Sequence, residues 1–168
     1  MIILLNGPPR CGKDTVGKML NRPTYKMTTP MDRALQAMLN WSDETFKLYR
    51  EEKKEELIPV LQISMRKSLQ TFSEDWLKKV TDDPQIFGKL ALQHLEDGMI
   101  ITDIGFHQEA VPIQSMFKCV LVHIFRPGCT FEHDTREYIP GPDHIIMNTG
   151  TLTELKEKVD EMSKMFNL

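Results

Sequence analysis

The sequence predicts an α/β fold, a parallel sheet flanked by helices, with a small helical lobe inserted. Two observations predict it. Short apolar runs at residues 1–5, 99–106, 117–126 and 144–148 suit buried strands, and stretches of helical periodicity separate them. A loop containing two glycines, GPPRCGK, lies directly between the first apolar run and the first helical pattern. At 168 residues the chain is long enough for one domain carrying an insert.

The elements follow in order. MIILL (1–5) is an unbroken apolar run closed by Gly7 and Pro8, which reads as a central strand entering a loop. From 13 to 20, Val16, Met19 and Leu20 share a helix face, and Asn21-Arg22-Pro23 stops the helix. TYKMT (24–28) reads as a second short strand. Pro30 suits a helix start, with Ala34, Leu35, Met38 and Leu39 as the apolar face. Ser42 is a plausible N-cap for the highly charged segment 42–57, although Thr45 leaves the capping box incomplete. SMRKSLQTF, EDWLKKV and PQIFGKLALQHLED continue the helical pattern, broken at Asp82-Asp83-Pro84, so residues 30–97 read as nearly all helix. Part of this stretch, about 40–90, is the expected insert. The strand MIITD ends at Asp103, and a helix follows with Glu109 in or near its first turn. Val120, Leu121, Val122 and Ile124 carry the next strand, and a Pro-, Gly- and charge-rich segment at 127–143 suits a lid. Thr151 or Thr153 caps a last helix with Leu155, Val159, Met162 and Phe166 on one face.

Charge and composition narrow the function. A formal charge of −3 gives no global basic character and weighs against nucleic acid as the main partner, while a local basic patch stays open. Cys11, Cys119 and Cys129 have no metal-like spacing, which suits free thiols in a reducing compartment. No apolar stretch is long enough for a membrane span, and residues 1–6 are too short for a signal peptide, so a cytoplasmic protein is expected. His107, His133 and Glu137 lack tight zinc-ligand spacing, and no zinc is assigned.

The first loop carries the chemistry. Gly7, Pro8, Pro9, Arg10, Cys11, Gly12 and Lys13 fit G-x-x-x-x-G-K, the phosphate cradle whose backbone N–H groups and helix N-terminus hold phosphates. Lys13 would neutralise the transferring phosphoryl group of ATP. The Ser or Thr expected next is Asp14, with Thr15 one step late; a carboxylate is an ordinary Mg²⁺ ligand, and Thr15 can serve an α-phosphate oxygen. Asp103, at a strand end, is a second Mg²⁺ candidate. Arg126, before Pro127-Gly128, can stack on adenine or clamp phosphate. Arg136 suits a lid arginine, in a charged neighbourhood with His133, Asp134 and Glu137; Lys118 is a weaker cation. Cys11 is expected to be incidental, not a nucleophile. In the insert, Arg66 is the expected acceptor clamp, with Asp32, Phe72 and Trp76 as further acceptor contacts against the plainer reading of the two aromatics as core.

These motifs resemble the bacteriophage deoxynucleoside monophosphate kinase family of P-loop kinases. GPPRCGKDT is similar to that family's G-x-x-x-S-G-K-D-T, SMRKSLQ to S-x-R-x-x-L-Q, and IITDIGFHQEA to a strand and turn written D-V-R-F-x-x-E-A. FRPG, HDTREY and HIIMNTGTLTEL resemble R-x-x-G, a D-x-H-x-S-E-like lid segment and I-x-N-x-G-T-L-x-x-L. The resemblance implies a P-loop nucleotide kinase fold, ATP and Mg²⁺ as cofactors, a nucleotide-like acceptor, and a host-cell cytoplasmic location if the chain is phage-encoded. Three positions depart from the pattern: Gly105 stands where the family has Arg, Phe87 where it has Trp, and Thr29 where many relatives have Asp. The chain also resembles phage kinases that phosphorylate the hydroxymethyl group of 5-hydroxymethyluracil in DNA. Such an acceptor has no free monophosphate to clamp, and would fit a lost arginine. A nucleotide-binding ATPase or switch module is the alternative from another class; the insert with Arg66 favours transfer over it.

Overall fold

A computed structural model describes every residue except His133. The chain forms two compact units, one of residues Met1–Met27 and Phe87–Leu168, the other of Thr28–Ile86.

The first unit begins with β1 (Ile2–Asn6), buried along its whole length. Its unbroken apolar run is what a central parallel strand needs, because both faces are covered. α1 (Lys13–Leu20) ends at Asn21 in the left-handed conformation. β2 (Thr24–Tyr25) follows. In the second unit come α2 (Thr29–Leu39), α3 (Asp43–Glu51), β3 (Leu57–Ile58), β4 (Ile63–Ser64), α4 (Met65–Gln70), a π-helix over Thr71–Leu77, and α5 (Lys78–Thr81). The helix α6 (Ile86–Leu92) leads back to the first unit. There β5 (Ile100–Ile101), α7 (His107–Met116), β6 (Cys119–Phe125), β7 (His144–Met147) and α8 (Leu152–Phe166) complete the chain.

The main sheet is parallel, in the order β2-β5-β1-β6-β7. Ile3 and Leu5 of β1 register with Val120 and Val122 of β6, and these four share a buried cluster with Val16 of α1 and Leu155, Val159 and Met162 of α8. The last helix is fixed by a complete capping box, Thr151 and Glu154 each accepting from the other's backbone N–H, which selects Thr151 over Thr153. Strand alternation places His123, Phe125, Ile145 and Met147 opposite Ile124 and Ile146. With Tyr138 they line an apolar hollow at the β6–β7 side of the sheet.

Several expectations need correction. Residues 30–97 are not nearly all helix, because β3 and β4 form an antiparallel hairpin turned at Pro59–Gln62, with Gln62 at φ 55°. The stretch EDWLKKV is divided between the π-helix and α5. Met38, expected on the buried face of α2, is 54 % exposed, and Met31 is buried instead alongside Leu35. β5 stops at Ile101, so Asp103 lies beyond the strand and not at its end. Among the described residues no helix is long and apolar enough to cross a membrane.

Candidate active site

The loop from Gly7 to Gly12 joins the end of β1 to the start of α1. Gly12, the N-cap, has φ 111°, and a Cβ there would stand 2.6 Å from Asn148 Nδ2, so glycine answers both a backbone and a packing demand. The same Asn148 amide donates to Cys11 O at 2.9 Å, tying the loop to the segment after β7. Cys11 itself is fully buried in the core cluster. It anchors the loop by packing, and burial pushes its thiol up. Pro8 is buried, while Pro9 and Arg10 are exposed. Arg10 adopts the left-handed conformation at φ 64°.

Lys13 reaches back into the loop. Its Nζ donates to Gly7 O at 2.6 Å and Pro8 O at 2.7 Å. Burial lowers the Lys13 pKa; nearby Arg136 lowers it further, while Cys11 and Asp14 oppose. A concentrated positive field therefore sits at the N-terminus of α1, whose first N–H groups have no carbonyl partners within the helix. This fits a polyphosphate.

Asp14 and Asp103 are linked through consecutive residues. Lys26 Nζ lies 3.3 Å from Asp14 Oδ1, and the Met27 N–H donates to Asp103 Oδ1 at 2.8 Å. Lys26 was not singled out from the sequence; a lysine just past a two-residue edge strand has no distinguishing signal. Its ammonium stands beside Asp14 as a cation would, and hard carboxylate oxygens suit Mg²⁺. Among the described residues no three His, Cys, Asp or Glu side chains gather as a metal site of their own, so Mg²⁺ would depend on phosphate oxygens for most of its ligands. The His133 part of the rejected zinc grouping lies outside the described residues.

Arg126 is exposed at the end of β6, with Nη1 3.5 Å from Arg10 O, on the rim of the cradle. Arg136 is gripped by Asp134, Nε to Oδ1 at 2.9 Å and Nη2 to Oδ2 at 2.5 Å. This hydrogen bonding raises its pKa, and Asp103 and Glu109 add to the effect against burial. Glu109, only 5 % exposed in the first turn of α7, is thus part of the electrostatic surroundings. The structure brings Lys13, Asp14, Asp103, Arg126 and Arg136 to one end of the sheet, beyond the C-terminal ends of the strands, where open α/β sheets hold ligands.

Asn6 was missed. It is fully buried, its amide donates to Ile104 O at 3.0 Å and Glu137 O at 3.2 Å, and its Oδ1 accepts from Ile139 N at 3.1 Å. The only signal was a polar residue closing an apolar strand. With Tyr138 OH donating to Ile124 O at 3.2 Å, and His123 Nε2 2.8 Å from Ile139 O, it makes residues 136–139 a strap fixed to the sheet. Part of the segment read as a lid is therefore bound in place.

The second unit holds the other candidates. Arg66 Nε lies 2.6 Å from Glu55 Oε1, in an exposed pair. Asp32 accepts from Arg50 Nε at 2.9 Å and Thr28 Oγ1 at 3.2 Å, and Arg50 also donates to Thr28 Oγ1 at 3.2 Å. Arg50 was not anticipated. Phe72 and Trp76 pack edge to face at 5.7 Å, and Trp76 is 52 % exposed, so it is not core. Both lie in the π-helix, a local irregularity often found at functional sites.

No family model matches the chain, and no curated protein matches it in sequence. Solved structures do resemble it. Shikimate kinase from Aquifex aeolicus vf5 superposes with a TM-score of 0.52 at 18 % identity, covering 99 % of this chain and 98 % of that one. TT1252 from Thermus thermophilus gives 0.51 at 17 % identity, covering 98 % and 97 %. A putative kinase from Chloroflexus aurantiacus J-10-fl gives 0.50 at 12 % identity, covering 99 % and 95 %. At these identities the likeness is one of architecture: the chain shares the α/β fold of these structures over almost its whole length.

Proposed function

We propose that the chain is an ATP-dependent phosphotransferase whose acceptor is a deoxynucleoside monophosphate. The observation that carries this reading is Lys13, half-buried in a G-x-x-x-x-G-K loop between β1 and α1 and sharing its field with Arg136 and Asp14. ATP with Mg²⁺ would supply the phosphoryl group and part of its charge neutralisation. Residues 7–15 hold the polyphosphate through backbone N–H groups, and Arg126 closes the rim. Asp14 and Asp103 would hold Mg²⁺ directly or through its waters. Lys13 and Arg136 stabilise the charge that builds as the acceptor oxygen forms its bond to the γ-phosphorus and the bond to the β-phosphate oxygen breaks. A monophosphate oxygen is already anionic at neutral pH, so no strong base is required. In the second unit, Arg66, Asp32, Phe72 and Trp76 are the proposed acceptor contacts.

The second reading, a kinase acting on hydroxymethyluracil in DNA, is favoured by Gly105 standing where the resembling family has arginine. A neutral hydroxymethyl acceptor would call for a base, and Asp103 is the first candidate, with Asp32 the second. Labelled ATP offered against the four deoxynucleoside monophosphates, plain duplex DNA and hydroxymethyluracil DNA separates the two. Label in a nucleoside diphosphate supports the first reading. Label only in modified DNA, with binding that weakens steeply as salt rises, replaces it with the second.

A further inference from the structure

Gly105 is the position that most needs a reason, and the structure supplies a spatial one. It is not among the glycines with positive φ, so backbone freedom does not explain it. A Cβ built there would lie 2.7 Å from Cγ of Arg136, with Cδ closer still, and real Cβ atoms essentially never approach so near. The stem of Arg136 occupies the space that any side chain at 105 would begin to fill.

Arg136 is held there by more than its own ion pair. Its backbone N–H and its guanidinium both bond to Asp134. The next residue, Glu137, has its N–H 3.5 Å from Gly105 O and its carbonyl on the Asn6 amide. Asn6 also accepts from Ile139 N. The guanidinium is therefore presented by a strap riveted to Asn6 at the end of β1 and to Gly105. The acidic groups around it are Asp134, Asp103 and Glu109, and the nearby cation is Lys13.

Position in the sheet assigns its task. β1 and the phosphate loop lie at the centre of the order β2-β5-β1-β6-β7. Arg126 and Asn148, which touch the loop, follow β6 and β7 on one side. Gly105 follows β5 on the other side, and Arg136 lies over it. In-line transfer requires donor and acceptor on opposite sides of the moving phosphorus. We propose that Arg136 is the clamp for the acceptor's own phosphate, that Gly105 is glycine to make room for it, and that Asn6 is the positioning residue that fixes the strap. This rests on the monophosphate-kinase reading and names the group on its acceptor that is recognised.

A reciprocal exchange tests it. Arg136→Gly removes the cation, Gly105→Arg places one at the neighbouring position, and the double variant moves the guanidinium from one residue to the other. With the deoxynucleoside monophosphate that the wild type uses best, Arg136→Gly should raise the acceptor KM by about tenfold to a hundredfold, the scale of losing a charge-assisted contact. The ATP KM should rise by less than the acceptor KM, and kcat should fall as well, since Arg136 also faces the transferring phosphoryl group beside Lys13. Gly105→Arg alone should impair the enzyme through overlap, and the double variant should recover most of the lost acceptor affinity. Asn6→Ala should fall in kcat more than in ATP binding, with Asn6→Asp, which keeps the Oδ1 acceptor, recovering part of it. Thermal denaturation of each variant identifies any that do not fold, and Arg136→Gly, a partly exposed truncation, carries the test if the others fail. An acceptor KM unchanged in Arg136→Gly, an ATP KM raised more than the acceptor KM, or a folded double variant no better than Arg136→Gly overturns the proposal. If the wild type transfers to no monophosphate, the parent reading falls and this one with it; if it transfers normally and Arg136→Gly is indifferent, this one falls alone.

Discussion

Each of the chain's two units is held in shape by different means. In the first, the residues around the phosphate loop are fixed by buried or half-buried bonds between side chains and backbone: Asn6 to residues 104, 137 and 139, Asn148 to Cys11, Lys13 to Gly7 and Pro8, Met27 to Asp103. In the second, α3 has no buried residue, and Arg66–Glu55, Lys53–Glu56 and Lys79–Asp75 are solvent-facing ion pairs. Exposed pairs contribute about 0–1 kcal/mol each, whereas leaving a buried polar group unsatisfied costs about 1–3 kcal/mol. The lesson is one of tolerance. The surroundings of the phosphate loop are built to a fixed geometry, and the second unit can exchange its surface side chains at little cost.

If that contrast is right, the largest effect belongs to Lys13. Lys13→Ala should keep its fold and lose transfer by about a hundredfold or more, the scale of one preorganised charge donor. Steady-state kinetics with a denaturation curve check this, and a folded variant with near-normal turnover would break the account of the loop. Next is Asp103→Asn. It should raise the Mg²⁺ concentration needed for half-maximal rate by about tenfold, as expected when a coordinating or shell carboxylate is lost. Asp14→Ser, which restores a hydroxyl at the usual position, should shift the same titration much less. An unchanged Mg²⁺ curve for Asp103→Asn would remove Asp103 from the metal's shell.

A pH profile sharpens the contrast further. Lys13 acts only when charged, and burial lowers its pKa, so kcat/KM for ATP should fall on the alkaline side before an ordinary lysine would titrate. Removing the positive charge of Arg136 takes away one lowering influence, so Arg136→Gln should move that limb to higher pH. Removing the negative charge of Asp14 should move it to lower pH. Limbs that stay in place in both variants would show that another group controls the descent.

The smallest effect is expected in the second unit. Arg66→Ala should raise the acceptor KM by about threefold to tenfold and leave stability within about 0.5 kcal/mol, since it breaks only an exposed pair with Glu55. A large loss of thermal stability in Arg66→Ala would erase the distinction between the units.

The same contrast explains what was legible in the sequence. β1, α1 and α8 could be read because each is strongly patterned and bounded by a chemical signal: Gly7, Asn21 and the Thr151–Glu154 box. The hairpin of β3 and β4 was hidden, since two-residue strands show no alternation and lie beside a dense charged helix. Met38 was misplaced because periodicity marks a face without saying whether the whole face is covered. At the site, Lys13 and its loop follow from spacing alone. Asn6, Lys26 and the Arg50–Asp32 pair do not, because their partners are distant in sequence: 131 and 133 residues separate Asn6 from Glu137 and Ile139, and 18 separate Arg50 from Asp32. Gly105 was visible as an anomaly, and only the course of Arg136 gives it a cause.

The most direct test of the central claim is ³¹P NMR of the protein with ATP, Mg²⁺ and a mixture of deoxynucleoside monophosphates. The account predicts that ADP and a deoxynucleoside diphosphate accumulate in equal amounts as ATP and one monophosphate disappear. Inorganic phosphate accumulating in step with ADP, with every monophosphate signal unchanged, would contradict it.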